Sequence, residues 1–393
     1  MNKAFYFCGQ VIPDSLLEKH FDRLKGCFSP AGNTFYNALL DGICENGCGV
    51  YTAVALPKEL LDVCKAEYSG GWHIFWGTKS NSFVLRAIKN FFAAFNSIRT
   101  FRRKEAESEK YVVFNVLRLG SVIGGLLACK LLGLNSIGVV TDVPGYRIKT
   151  EKKESLFRRA CDRLAQMLLG SFDSYVLLSE AMAQVMPVKH KPYTVIEGMY
   201  KGGDEPAYGS TDKYGDFTVL YAGSLHSKYG IMSLVDAVRG IENSGMRLLI
   251  YGSGEAEDRI RSASEEDGRI CFGGSISHRE ILCEERRASL LVNPRPVDDE
   301  YVKYSFPSKN MEYMASGTPV LLTDIPSLPE EYKQYVFLAE DGSAESLRRE
   351  IEALADKEAY ESALARAGSA RNFILENKTS AIQAGKLIEF LDR

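Results

Sequence analysis

The chain has 393 residues, 45% of them apolar and 25% charged. That length exceeds one ordinary core and fits two domains of about 200 residues, and the composition excludes wholesale disorder. Nine cysteines, scattered from Cys8 to Cys283, suit free thiols in a reducing compartment better than a disulfide framework, so a cytoplasmic location is expected. The net charge of −3 conceals an asymmetry: residues 1–200 hold 25 basic and 18 acidic side chains, the remainder 23 and 33. A basic first half points to an anionic partner or surface meeting that half.

In chain order, strand-length apolar runs are predicted near 5–8, 50–56, 111–116, 136–140, 174–178 and 193–196. Helical patterns fill most gaps, over 34–45, 81–104, 121–132 and 154–169. The N-terminal run lacks the long apolar core of a signal peptide. The apolar stretch 116–134 carries Arg118 and Lys130 and reads as a helix buried against a sheet, not a membrane span. Residues 197–216 hold five glycines and no apolar period and read as a linker. Beyond it, strands at 217–221, 246–251, 269–272, 290–293 and 319–322 alternate with helices at 232–241, 255–263, 278–286 and 309–315. The chain ends in helical patterns over 344–355, 358–376 and 379–391. This alternation predicts an α/β protein of two doubly wound, Rossmann-like domains, each a parallel sheet covered on both faces. The expected boundaries are 1–200, a linker at 201–216, 217–375, and a terminal helix at 376–393 that can pack back on the first domain. Ligands are expected in a central cleft, at the carboxyl ends of the strands.

Two turns in the second half follow strands and hold glycine. VLYAGSLHSKYG, residues 219–230, places Gly223 and Ser224 at a strand end and Lys228 in the turn. LLIYGSG, residues 248–254, ends in Gly252 and Gly254. Backbone amides at such strand-to-helix turns favour an anion such as a phosphate, although many such turns hold glycine for packing alone. In the run 306–321, FPSKNMEYMASGTPVL, Ser308 and Lys309 open a helix and Glu312 lies one turn on. That face can hold a diphosphate and a sugar hydroxyl, or it can be a capped helix with a surface Lys–Glu pair.

The same run resembles the donor-site signature of family 4 of the retaining, GT-B-type glycosyltransferases. AGSLHSKYG is similar to that family's first phosphate loop and IYGSGE to its middle glycine-rich turn, in the expected order over residues 217–325. The resemblance implies transfer of a sugar from a UDP- or GDP-linked donor to an acceptor hydroxyl with retention, in surface polysaccharide or glycolipid assembly. It implies that Glu312 holds the nucleotide ribose, and that Ser308, Lys309 and Lys228 contact the diphosphate. Two positions depart from the family pattern: Ser224 stands where an arginine often follows the loop glycine, and Tyr304 where the first acid of a Glu-x7-Glu pair would fall. Arg295 is expected to supply the replacement cation, and the backbone of Ser305 and Phe306 the sugar contacts. A nucleotide-sugar epimerase or hydrolase of the same fold, and a non-catalytic nucleotide-sugar-binding subunit of a membrane assembly complex, are the alternatives.

In the first half, the stretch 29–33 opens a helix, and its amides, with Gly32 and Asn33 on the acceptor side, hold an acceptor or donor phosphate, or the stretch simply caps that helix. Asp142 ends an apolar strand, where it positions or deprotonates an acceptor hydroxyl, or caps a turn. The five histidines are isolated in sequence and Cys44 and Cys48 have no second ligand pair, so no tightly bound metal or other cofactor is expected. Residues 79–104 carry seven basic and no acidic side chains together with five phenylalanines. Such a helix lies on an anionic membrane or buries its aromatics under the sheet, which makes a peripheral position on the inner face of a membrane a further expectation.

Overall fold

The computed structural model describes residues 2–393 except 25–29, 57–71, 78–82, 106, 144–155, 187, 189, 203–211, 243–244 and 299. Two compact units divide the chain: Met1–Met199 with Ser380–Arg393, and Tyr200–Thr379.

The first unit runs β1 (Lys3–Cys8), α1 (Asp14–Leu24), α2 (Pro30–Glu45), β2 (Gly49–Leu56), β3 (Trp72–Gly77), α3 (Phe83–Lys104), β4 (Glu109–Asn115), α4 (Leu119–Leu132), β5 (Asn135–Val140), α5 (Leu156–Leu169), β6 (Ser174–Leu177), α6 (Glu180–Val185) and β7 (Tyr193–Val195). Its seven strands are ordered β3-β2-β1-β4-β5-β6-β7 and all pair in parallel. Parallel strands are covered on both faces, which is why Ala4–Cys8 is an unbroken apolar run and entirely buried. Helices α3 and α4 approach closely because Gly120 and Gly124 carry no side chain. A Cβ on either would sit 2.4 or 2.2 Å from the carbonyl oxygen of Ala87 or Phe91.

The second unit runs β8 (Phe217–Ser224), α7 (Ile231–Arg239), β9 (Met246–Ser253), α8 (Glu257–Glu266), β10 (Ile270–Gly274), α9 (His278–Arg287), β11 (Leu290–Asn293), α10 (Lys309–Ala315), β12 (Val320–Thr323), α11 (Glu330–Lys333), β13 (Phe337–Ala339), α12 (Ala344–Leu354) and α13 (Lys357–Asn377). The six strands are parallel in the order β10-β9-β8-β11-β12-β13. Neighbours in β8 serve opposite cores: Val219 packs with Ile231, Leu234 and Leu347, and Leu220 with Met311, Tyr313 and Ile374. A last helix, α14 (Ser380–Leu391), returns to the first unit and packs on α2, where a Cβ on Gly42 would lie 2.1 Å from the Ser380 oxygen.

The elements expected from the sequence form within a few residues of their predicted bounds, and α10 and β11 form on them. Pattern alone does not reveal α1, interrupted at His20 (φ −129°), the edge strand β3, or the short α6, α11 and β13 of six, four and three residues. Elements that short show no period. Among the described residues no helix is long and apolar enough to cross a membrane. Helix α4 is buried on one side only: Leu127 and Leu131 are exposed, so the reading of 116–134 as a buried helix holds for half its circumference.

Candidate functional site

In the second unit the strand order reverses between β8 and β11, the position at which loops diverge and leave a crevice in doubly wound sheets. The loops after these two strands are bound to each other. Gly230 has φ +81°, and a Cβ there would meet the Pro294 oxygen at 1.6 Å, so only glycine fits. The Arg295 guanidinium stacks on the Tyr229 ring, 4.3 Å from its centroid. The Tyr301 hydroxyl donates to the Lys228 carbonyl at 3.3 Å. Arg295, half-buried, therefore lies beside the turn that runs from Ser224 to Gly230.

The two glycine turns are register partners, Gly223 opposite Gly252 and Ser224 opposite Ser253. Their glycines do different things. Gly252 has φ +140°, and a Cβ on it would lie 1.8 Å from the Gly223 oxygen; a Cβ on Gly254 would lie 2.6 Å from the Leu225 backbone. The Gly254 amide is also occupied, donating to Glu257 Oε1 at 2.9 Å. Both glycines thus serve close packing of the turns. Gly223 and Ser224 are exposed, and a Cβ at Gly223 would meet nothing nearer than 3.4 Å, so its open backbone is where a ligand can approach. The Tyr221 hydroxyl donates to the Ser224 oxygen at 2.8 Å and fixes this turn.

Helix α10 is fastened to β8 by the buried Tyr313. Its hydroxyl accepts from the Ala222 amide at 2.8 Å and faces the Ala222 carbonyl at 3.2 Å. Asn293 Nδ2, at the end of β11, donates to Asn310 Oδ1 at 2.7 Å. These bonds bring Glu312 and Lys309 to the same end of the sheet as Gly223 and Arg295. Tyr313→Phe is expected to leave the buried Ala222 amide unsatisfied and to cost about 1–3 kcal/mol, read as a lower calorimetric melting temperature.

Lys309 is not a bare cation. Its ammonium lies 2.6 Å from Glu312 Oε2 and 2.9 Å from Glu285 Oε1, and His278 Nε2 lies 3.3 Å from the same Glu312 oxygen. Glu285 is 0% exposed. Burial pushes its carboxyl above the usual range, Lys309 opposing and Glu312 reinforcing the rise. Burial would also raise Glu312, but Lys309 and His278 outweigh it and hold that carboxyl below its usual value. Burial likewise opposes the charge on Lys309, and the two carboxylates more than restore it. Glu312 is therefore the ionised acceptor of the group, held in place by Lys309. Direct contact between Lys309 and a diphosphate, expected from the sequence, competes with two existing ion pairs. Ser308, exposed at the start of the seven-residue α10, makes no cap bond.

Glu285 and His278 were invisible as site residues in the sequence. The available signal was Glu285 standing one turn after Ile281 on the buried face of α9, where a lone acid requires a partner. His278, read as isolated, is paired in space, as is His226 with Glu255 Oε1 at 3.3 Å. The buried Phe306 packs on Tyr332 at 5.4 Å, and the Ser305 carbonyl accepts from Ser327 Oγ at 2.7 Å, which leaves that loop's amides as its means of touching a sugar.

In the first unit, Asn33 lies inside α2, and its amide brackets the Ile12 backbone, accepting at 2.7 Å and donating at 2.9 Å. Its side chain thus holds the turn after β1; Gly32, in the first turn of α2, is half-buried. Residues 25–29 lie outside the described residues. Asp142 is exposed just beyond β5, and Tyr36 feels both its charge and that of Arg118. Arg118 lines a crevice with Gly9, Gln10 and Ser121 where β1 and β4 part, the switch point of this sheet. Neither Gln10 nor Arg118 stands out from sequence. Among the described residues no cluster of three His, Cys, Asp or Glu side chains has the arrangement of a metal site.

The profile of the family described as glycosyl transferases group 1 matches residues 209–371, all within the second unit. This segment is similar to the glycosyl transferases group 1 domain. Whole-chain likeness is to solved structures: sucrose-phosphate synthase from Thermosynechococcus elongatus, with TM-score 0.69 and 15% identity over 100% of this chain and 99% of that one. Anabaena Alr3699/HepE in complex with UDP and glucose follows at TM-score 0.67 and 12% identity, covering 100% of both chains. The lipopolysaccharide outer core galactosyltransferase WaaB matches at 0.64 and 13%, over 100% of this chain and 99% of its own. No curated protein matches in sequence. Likeness at identities this low shows the fold alone, which is GT-B: two doubly wound, Rossmann-like α/β units.

Proposed function

We propose that the protein is a retaining glycosyltransferase, moving a sugar from a UDP- or GDP-linked donor to an acceptor hydroxyl in polysaccharide or glycolipid assembly. The observation that carries this reading is the meeting, at the β8/β11 switch point of the group 1 domain, of the open Gly223 turn, the Arg295–Tyr229 stack and the ionised Glu312. Glu312 accepts hydroxyl hydrogens from the nucleotide ribose, and the UDP and glucose held by Anabaena Alr3699/HepE support a ligand of that class. Lys309 keeps Glu312 charged and aimed. Arg295 and Lys228 face the diphosphate, whose negative charge grows as the bond to the sugar breaks, so no resident metal is assigned to this step. The amides of Ser305 and Phe306 hold the sugar, and Asp142 is the acceptor-side group of the first unit, taking the hydroxyl proton.

Purified protein incubated with a panel of UDP- and GDP-sugars and candidate acceptors should release nucleoside diphosphate in step with glycosylated product, equally in the presence of a chelator. Arg295→Ala should lower turnover about a hundredfold with little change in donor affinity, because the charge it answers develops in the transition state. Equal turnover would show that Arg295 does not replace the cation absent at Ser224. The tyrosine at position 304, in place of an acid, favours one second reading: nucleotide-sugar binding without transfer. Donor affinity with no product from any acceptor would select it.

A further inference from the structure

Helices α3 and α4 meet along a seam made by Ala87 and Phe91 against Gly120 and Gly124. Their carboxyl ends are tied by Arg102 Nε, which donates to the Leu132 carbonyl at 3.1 Å. On the solvent side of that seam both helices present large apolar side chains. Val84, Ile88 and Phe92, spaced four apart on one stripe of α3, are 56%, 48% and 58% exposed; Leu127 and Leu131, four apart on α4, are 42% and 66% exposed. Ile88 and Phe92 each follow a seam residue of α3, and Leu127 and Leu131 lie one and two turns beyond Gly124, so the two stripes border the same groove. Water is left against a continuous apolar patch, which monomeric proteins keep small unless something covers it.

The charge beside the patch says what covers it. Arg99, Arg102 and Arg103 are exposed at the end of α3, and the whole helix contains no acid. An apolar stripe that ends in these cations matches a bilayer whose headgroups are anionic and whose acyl region begins just beneath. Arginine stems cover apolar surface while their heads stay at the headgroups. We propose that this face of the first unit docks on an anionic lipid surface, with Phe92 and Leu131 entering it and the three arginines meeting phosphate headgroups. The proposal is independent of the sugar-transfer reading.

Sedimentation of the full chain with phosphatidylcholine vesicles, with and without phosphatidylglycerol, tests it. Binding is expected only with phosphatidylglycerol, weakening as salt rises but leaving a salt-resistant fraction from the inserted side chains. Arg99→Gln, Arg102→Gln and Arg103→Gln together should lower the partition coefficient more than about tenfold. Phe92→Ser with Leu131→Ser should abolish the salt-resistant fraction. An unchanged melting temperature in both variants shows that they are folded. Failure of the wild-type chain to bind phosphatidylglycerol vesicles at low salt overturns the proposal, as does binding that survives both sets of substitutions. A concentration-dependent dimer dissolved by Phe92→Ser would assign the face to a second copy of the chain instead.

Discussion

Lys309→Ala is expected to destabilise the protein by about 3–5 kcal/mol, because it strands the fully buried Glu285 without its ion-pair partner. The loss should depend on pH in a definite sense. Glu285 already binds its proton more tightly than a free carboxyl does, and removing Lys309 removes a charge that opposes this. A group whose folded-state affinity for protons is raised favours folding at low pH, and that contribution disappears as pH rises through its folded value. The variant should therefore come nearest to wild type around pH 4–5 and fall furthest behind above neutrality. Adding Glu285→Gln should restore most of the loss at high pH, since the buried group can no longer ionise. Denaturant unfolding of the four proteins of this cycle at two pH values measures the coupling. A Lys309→Ala penalty that is small, or that Glu285→Gln does not relieve, would show that the two side chains are not one electrostatic unit.

Glu312→Gln isolates the binding role from the structural one, because it keeps the shape of the side chain and leaves Lys309 paired with Glu285. It should weaken affinity for the nucleoside diphosphate by roughly 10- to 150-fold, the equivalent of losing about 1.5–3 kcal/mol of charged hydrogen bonding. Calorimetric titration reads this directly. Affinity within twofold of wild type would remove Glu312 from the ribose contact.

How much of this was legible beforehand differs between fold and site. The βα alternation is written in unbroken apolar runs such as Leu290–Asn293, which survive because parallel strands are buried on both faces. The three motif segments were legible too, because their glycines and the Lys309–Glu312 spacing are local. Position across the sheet was not. Nothing local says that Gly252 and Gly254 exist to let one turn lie on another, or that the Asn33 amide is consumed by Ile12 twenty-one residues away. The buried carboxylate of Glu285 illustrates the same limit: from sequence it is one of several acids on a charged helix, and only the placement of α9 beneath α10 pairs it with Lys309. Charge counting found the basic helix, but the apolar stripes that complete the face lie on α3 and α4 together, and helix phase relative to a neighbour is a tertiary property.

The central claim is that the second unit activates a nucleotide sugar and that the sugar keeps its anomeric configuration. Proton NMR of a donor turnover, followed from the first minutes before mutarotation, tests both parts at once with water or an added glycoside as acceptor. The account predicts nucleoside diphosphate release from at least one UDP- or GDP-sugar, a first product with the anomeric configuration of the donor, and loss of both signals in Glu312→Gln. A product of inverted configuration, or no release from any donor in the panel, would contradict it.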